Sequence, residues 1–287
     1  MTLWESVGRA LGSAVETQHA LSGGDINEAW NVALADGRRV FVKTNASAPR
    51  AMFPAEARGL AWLAEADALR VPRVLAVCDE RGDDPSFLAL ELLAPAARAR
   101  GFDEALGRGL AALHRFGAPR FGLDHDNFIG RLPQSNTPHA TWPAFYREER
   151  LAPQIRMATD RGLLGGGLRK RLDALLARLE AIVGPPEPPA RLHGDLWGGN
   201  LHVDERGAPC LIDPAAYGGH REVDLAMMKL FGGFSPRVFD AYDEAFPTAE
   251  GGEERVPLYQ LYFLLAHVNL FGSGYVSSVE RAVAQVL

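Results

Sequence analysis

The chain has 287 residues, of which 47% are hydrophobic and 23% charged, with a formal net charge of −6. That apolar content excludes an intrinsically disordered chain, and the acidic balance, with a sequence pI near 5.8, offers no general attraction to a nucleic-acid backbone. No apolar run reaches bilayer length, the N-terminal MTLWESVGRALGSAVE does not read as a secretory leader, and only Cys78 and Cys210 occur, each inside an apolar strand-like segment. A cytoplasmic monomer with neither nucleic acid nor membrane as partner is expected.

Trp4, Val7 and Leu11 recur at helical spacing and predict a short amphipathic first helix. Gly23 and Gly24 then form a turn between strand-like segments, and Asp36-Gly37 makes the hairpin to a return strand, Arg39 to Lys43. Backbone N–H groups at such a turn can cover nucleotide phosphates. Lys43 closes a Val-Phe-Val strand where a kinase lysine meets the α- and β-phosphates, although a strand lysine in isolation is more often a solvent-exposed edge residue. From Pro54 to Ala66 a helical pattern carries Glu56 in its first turn. That is the place of the glutamate that pairs with the kinase lysine, and equally a place where the helix macrodipole favours any carboxylate.

Strands at 71–78 and 87–93, around a turn at 79–85, complete a small, mainly antiparallel sheet. Pro95 and the alanines after it break the pattern, placing a hinge at 91–95, where backbone groups of Glu91 and Leu93 can hydrogen-bond adenine. The remainder reads as helical. Leu106, Leu110 and Leu113 share one face, with a structural His114 beside it, and Leu168, Leu172, Leu175, Leu179 and Ile182 define another. Between them, 121–142 reads as a long loop. The expected organisation is a nucleotide-binding lobe over 1–90, a hinge over 91–95 and a helical catalytic and substrate lobe over 96–287.

The chemistry concentrates in 191–214, RLHGDLWGGNLHVDERGAPCLIDP. Asp195 follows His193-Gly194, Asn200 comes five residues later, and the apolar pair Leu211-Ile212 delivers Asp213. In a kinase such a set has defined work: one Asp deprotonates the acceptor hydroxyl, while an Asn and a second Asp hold Mg2+ on the nucleotide phosphates. Hard Mg2+ keeps several waters, so one carboxylate and one amide suffice when phosphates supply the other oxygens. Asp and Asn beside glycines also build ordinary turns, as 203–208 does on this reading. Downstream, Asp224 is placed as a brace for the catalytic loop. His220, Glu222, His267 and Asn269 are candidate substrate contacts that packing alone would also explain.

Taken together these residues resemble the fructosamine/ketosamine kinases, within the aminoglycoside phosphotransferase and protein-kinase-like superfamily. The resemblance runs in order through Gly23-Gly24, Val42-Lys43, Met52-Phe53 before Glu56, Phe121-Gly122, Asn127-Phe128-Ile129-Gly130, Pro133-Gln134-Ser135-Asn136 and Trp142-Pro143-Ala144-Phe145-Tyr146. It continues through His193-Gly194-Asp195-Leu196-Trp197-Gly198-Gly199-Asn200, Ile212-Asp213-Pro214-Ala215, Tyr217-Gly218-Gly219-His220-Arg221-Glu222 and Phe231-Gly232-Gly233-Phe234.

The resemblance implies an α+β bilobal fold, with a small antiparallel-sheet N-lobe and a larger mainly helical C-lobe. It also implies ATP- and Mg2+-dependent phosphorylation of the 3-hydroxyl of a ketosamine, as a small molecule or a glycated lysine side chain. On it, Asp195 is the base, Asn200 and Asp213 the metal ligands, Lys43 and Glu56 the phosphate-binding pair, and Trp197 a flank of the sugar pocket. The chain departs from the family where Asp25-Ile26-Asn27 follows the glycines without the cysteine often found there, and at Leu270, which is less polar than in relatives. An aminoglycoside- or choline-type phosphotransferase, or a nucleotide-binding pseudokinase, is the competing expectation.

Overall fold

The computed structural model describes residues 2–21, 27–79 and 86–287. Gly23 and Gly24 therefore lie outside the described residues, as do 80–85 of the expected turn at 79–85. Helix α1 (Leu3–Leu11) opens on a reciprocal capping box between Thr2 and Glu5 and stops at Gly12, whose φ of 71° suits glycine. Strands β1 (Val15–Leu21), β2 (Glu28–Leu34) and β3 (Arg39–Thr44), helix α2 (Met52–Ala64), and strands β4 (Val74–Cys78) and β5 (Phe87–Glu91) follow. The five strands form one antiparallel sheet in the order β1-β2-β3-β5-β4.

The pleat of β3 sets up the site. Val40 and Val42 pack with Val7 and Leu11 of α1 on one face, while Phe41 joins Phe53, Leu60 and Leu63 of α2 on the other. Lys43, in phase with Phe41, therefore points toward α2.

Beyond Glu91 the chain runs without regular structure to α3 (Phe102–Phe116). The stretch read as a long loop contains a hairpin, β6 (Asn127–Ile129) and β7 (Leu132–Gln134), whose three-residue strands carry too little periodicity to be seen in sequence. Helix α4 (Trp142–Phe145), a π turn (Tyr146–Leu151), α5 (Ala152–Asp160), α6 (Gly166–Ala177) and α7 (Leu179–Ile182) lead to strand β8 (Ala190–Leu192). The catalytic stretch continues as a 3-10 turn (Gly198–Asn200), the hairpin β9 (Leu201–Val203) and β10 (Pro209–Leu211), and β11 (Tyr217–Gly219), which pairs antiparallel with β8. Helices α8 (Glu222–Leu230), α9 (Pro236–Ala245), α10 (Gly252–Phe271) and α11 (Val276–Val286) complete the larger part.

Its core holds Phe145, Tyr146, Tyr217, Tyr259, Tyr262 and Phe263, all fully buried. The α+β bilobal plan is the one expected. Among the described residues no helix is long and apolar enough to cross a membrane.

Candidate active site

Lys43 is almost fully buried, and its ammonium donates to Glu56 Oε1 at 2.7 Å and to Asp213 Oδ1 at 2.5 Å. Burial alone would drain its charge. The two carboxylates, Asp213 ahead of Glu56, outweigh that effect and hold its pKa above the ordinary value. One ion triad thus joins β3, α2 and the segment after β10, with Lys43 held there in its charged form.

The catalytic loop is held from below by a carboxylate. Asp224, fully buried in the first turn of α8, accepts from the His193 N–H at 2.8 Å and the Gly194 N–H at 2.9 Å. His114 of α3 donates to the same carboxylate through Nε2 at 3.2 Å, and its Nδ1 meets the Tyr242 hydroxyl at 2.8 Å. Burial would raise Asp224, but the His114 hydrogen bond, the neighbouring imidazoles and the Gly194 amide hold it below its ordinary value.

His193 itself donates from Nε2 to the Ile212 carbonyl at 2.9 Å and accepts the Asp195 N–H on Nδ1 at 3.3 Å. That pattern is neutral imidazole, in keeping with burial lowering its pKa. Gly194 is required here: its φ is 83°, and a Cβ would fall 2.1 Å from the Ala215 carbonyl oxygen.

Asp195 emerges from this brace with its carboxyl pushed up to about 7, by burial first and by the Asp213 charge second, against an opposing hydrogen bond from Asn200. Asn200 donates to the Asp195 carbonyl at 2.8 Å, to Asp195 Oδ2 at 3.3 Å and to the Asp213 carbonyl at 3.4 Å. With its N–H groups so committed, the amide oxygen of Asn200 is the atom left to face a cation. Asp213 likewise engages Lys43 through one oxygen and keeps the other.

These hard oxygen donors fit Mg2+. Among the described residues no group of three or more His, Cys, Asp or Glu could hold a metal by itself.

The other expected residues fall in different settings. Trp197, beside Asp195, keeps 42% of its surface exposed. Glu91 ends β5 with its carboxylate on Arg73 and Arg70, and its N–H donates to the Arg73 carbonyl. Leu93, beyond it, is half-buried and makes no backbone hydrogen bond among the described residues.

Glu222, expected at substrate, is instead bound at both oxygens by Arg255, at 2.6 and 2.8 Å, a pairing that only partly offsets the burial, which raises its carboxyl above the ordinary value. Asn269 is likewise a packing residue, its amide donating to the Gln154 backbone and side-chain oxygens at 2.9 and 2.8 Å. His220 is buried, stacked on Tyr259 with ring centroids 5.4 Å apart. His267 donates to the Phe263 carbonyl, and its ring lies among Phe231, Phe271 and Tyr275. His114, expected to be structural, is so as the second anchor of Asp224; the support that sequence reasoning missed is His193, as a hydrogen-bond relay.

A sheet lobe presenting a lysine–glutamate pair to a loop that carries Asp, Asn and a second Asp defines a phosphotransferase of the protein-kinase-like class. The same fold recurs in a macrolide 2'-phosphotransferase type I (TM-score 0.61, 19% identity, 99% of this chain and 95% of that one). More specifically, the chain belongs to the fructosamine kinase family, whose model matches residues 3–287. It is 41% identical over 264 residues to a protein of Thermus thermophilus named as a probable ketoamine kinase, covering 92% of each. It is 34% identical over 292 residues to a similarly named protein of Escherichia coli K12, covering 99% of each. A crystal structure described as a fructosamine-3-kinase of Thermobifida fusca superposes with a TM-score of 0.89 at 40% identity, over 99% of this chain and 98% of that one.

Proposed function

We propose that this chain transfers the γ-phosphoryl group of ATP to the 3-hydroxyl of a ketosamine, a sugar joined to an amine through an Amadori-type linkage, in a deglycation reaction. The observation that carries the reading is the convergence, in a chain of the fructosamine kinase family, of Lys43 and Glu56 with Asp195, Asn200 and Asp213. Asp195 takes the proton of the attacking hydroxyl, and the charged Lys43, oriented by Glu56, meets phosphate oxygens. Asn200 and Asp213 hold Mg2+, which when bound neutralises charge on the transferring phosphate. Backbone groups near Glu91 and Leu93 receive the adenine. The exposed face of Trp197 flanks the sugar, and the amine substituent, small or a glycated lysine, extends outward. Family members named for ketoamines support this acceptor.

An acceptor bearing several ammonium groups is disfavoured. Of the acidic side chains after β11, Glu222 is committed to Arg255 and Asp224 to His114, His193 and Gly194, so neither is offered to a cation.

The test is ADP release from ATP and Mg2+ with fructosamine, ribulosamine and erythrulosamine adducts of lysine, alongside an aminoglycoside and choline. Turnover confined to the ketosamines is expected. ATP binding without transfer to any of them, or turnover on the aminoglycoside alone, would overturn the assignment.

A further inference from the structure

Beneath the catalytic segment lies a buried polar network that the chemistry above leaves unused. Asn127, Gln134, Asn136, Arg150 and Tyr262 are each no more than 5% exposed. Gln134 donates to Asn127 Oδ1 at 2.7 Å and to the Ala215 carbonyl at 3.2 Å, and Asn127 donates to the Ala216 carbonyl at 2.8 Å. Asn136 donates to Asn127 Oδ1 at 3.0 Å, Arg150 donates to Asn136 Oδ1 at 2.6 Å, and the Tyr262 hydroxyl donates to Gln134 Oε1.

Arg150 sits in the π turn, and among the described residues no carboxylate pairs with it. Carbonyls of Ser135 and Glu149 and the faces of Tyr217, 3.8 Å away, and Phe145 receive its charge. Burying these groups is costly unless every member is bonded, and an apolar core would fill the same space without that risk. The network therefore calls for a reason beyond packing.

Its termini supply one. The Ala215 and Ala216 carbonyls lie two and three residues past Asp213, which has a φ of 56°, a left-handed conformation that costs a non-glycine residue energy. Upstream, the Ile212 N–H donates to the Asn200 carbonyl at 3.0 Å, and His193 donates to the Ile212 carbonyl. Downstream, the Ala215 N–H donates to the His193 carbonyl at 3.0 Å, and between there and the pairing of β11 with β8 the Ala215 and Ala216 carbonyls are held by the network. Such a conformation persists where both flanks are fixed.

We infer that Gln134 and Asn127, backed by Asn136, Arg150 and Tyr262, are positioning residues that lock Asp213 in the conformation aiming its carboxylate at the metal. This rests on the reading of Asp213 as a Mg2+ ligand. The network touches neither phosphate nor acceptor; it acts through the backbone of 213–216.

The test measures Mn2+ affinity directly, by the electron paramagnetic resonance signal of free Mn2+ titrated into protein with a non-hydrolysable ATP analogue. Wild type is compared with Gln134→Leu, Tyr262→Phe and Asp213→Asn. Removing a group that orients a metal ligand typically weakens metal binding by about tenfold or more. Gln134→Leu is expected to show that loss, and Tyr262→Phe a smaller loss in the same direction, with the acceptor KM unchanged in both. If Gln134→Leu does not fold, Tyr262→Phe decides alone. Wild-type Mn2+ affinity in the folded network variants, with weakened binding in Asp213→Asn, would overturn the positioning role only. Wild-type affinity in Asp213→Asn would overturn the metal assignment beneath it.

Discussion

At Asp195, the base of the proposed reaction, two demands compete: a general base must be charged, and this carboxyl is pushed up to about 7 from an ordinary 3.8 by its burial and by the negative charge of Asp213. The folded protein therefore binds this proton more tightly than the unfolded chain. The stability it contributes is complete below about pH 3.8 and is lost as pH rises through about 7. Asp195→Asn, which keeps the shape and cannot ionise, should match wild type near pH 4 and melt about 5 °C higher at pH 8, without metal or nucleotide. A melting-temperature difference independent of pH would contradict this. The same variant should lose about 10²- to 10⁴-fold in kcat while keeping nucleotide-induced stabilisation, as expected for the loss of a base and not of a binding group.

Asp224 answers the opposite demand, stabilising charge where two loop amides point inward. Asp224→Ala leaves the His193 and Gly194 N–H groups buried without an acceptor and should cost about 3–5 kcal/mol in urea unfolding. Asp195, Asn200 and Asp213 stand out in sequence because their types and order match what metal and phosphate chemistry would ask for, and the structure brings the three residues together. The convergence of His114 and Asp224, 110 residues apart, was not, because it depends on how α3 meets α8. Glu222 draws attention by lying close to the metal-ligand motif and Asn269 as a polar interruption of an apolar helix, yet each has its partner in Arg255 or Gln154 through packing that no local pattern encodes.

Among the elements, legibility followed burial. Strands β3 and β5 and helix α2 show their apolar pattern because they bury a face, whereas β1, exposed along nearly its whole length, is marked only by the glycine turn that follows it and its extent is not readable. The close crossing of α3 and α9 was equally hidden. It depends on Gly107, where a Cβ would come within 2.3 Å of the Val238 carbonyl oxygen and 2.9 Å of Ala241 Cβ. Alanine at 107 gains about 1 kcal/mol of helix propensity, yet backbone on the facing helix cannot yield as a flexible side chain does. Gly107→Ala should be net destabilising by about 1–3 kcal/mol in urea unfolding. It should also lower kcat, because Tyr242 on α9 is the hydroxyl that His114 meets beneath Asp224. Unchanged stability would show that the helices slide apart freely.

For the molecule as a whole, the question is what holds the sheet lobe over the catalytic loop, and Arg70 occupies that junction. Its carbonyl accepts from the Leu211 N–H at 2.8 Å, two residues before Asp213, and its guanidinium reaches Asp204 and Glu205 at 2.8 Å and Glu91 at 3.4 Å. One side chain thus ties the hairpin β9–β10, whose Asp204 lies 134 residues further along the chain, to the end of β5. Glu205 is half exposed and adds little, but Asp204 is buried. Asp204 keeps the Arg206 and Ala208 N–H donors if the arginine is removed, so the hairpin turn survives and Arg70→Met should cost only about 1–2 kcal/mol of stability.

The functional effect should be asymmetric. On the proposed function, adenine sits against the strand end that Arg70 ties down and the acceptor over the Asp195 loop. Loosening the tie should therefore raise the KM for ATP by about fivefold, the factor that corresponds to roughly 1 kcal/mol, and leave the acceptor KM near wild type. Steady-state kinetics with each substrate varied in turn separates the cases: equal rises in both constants would mean that Arg70 holds the catalytic loop itself, and no rise in either would mean that the two lobes are held in register by their packing alone.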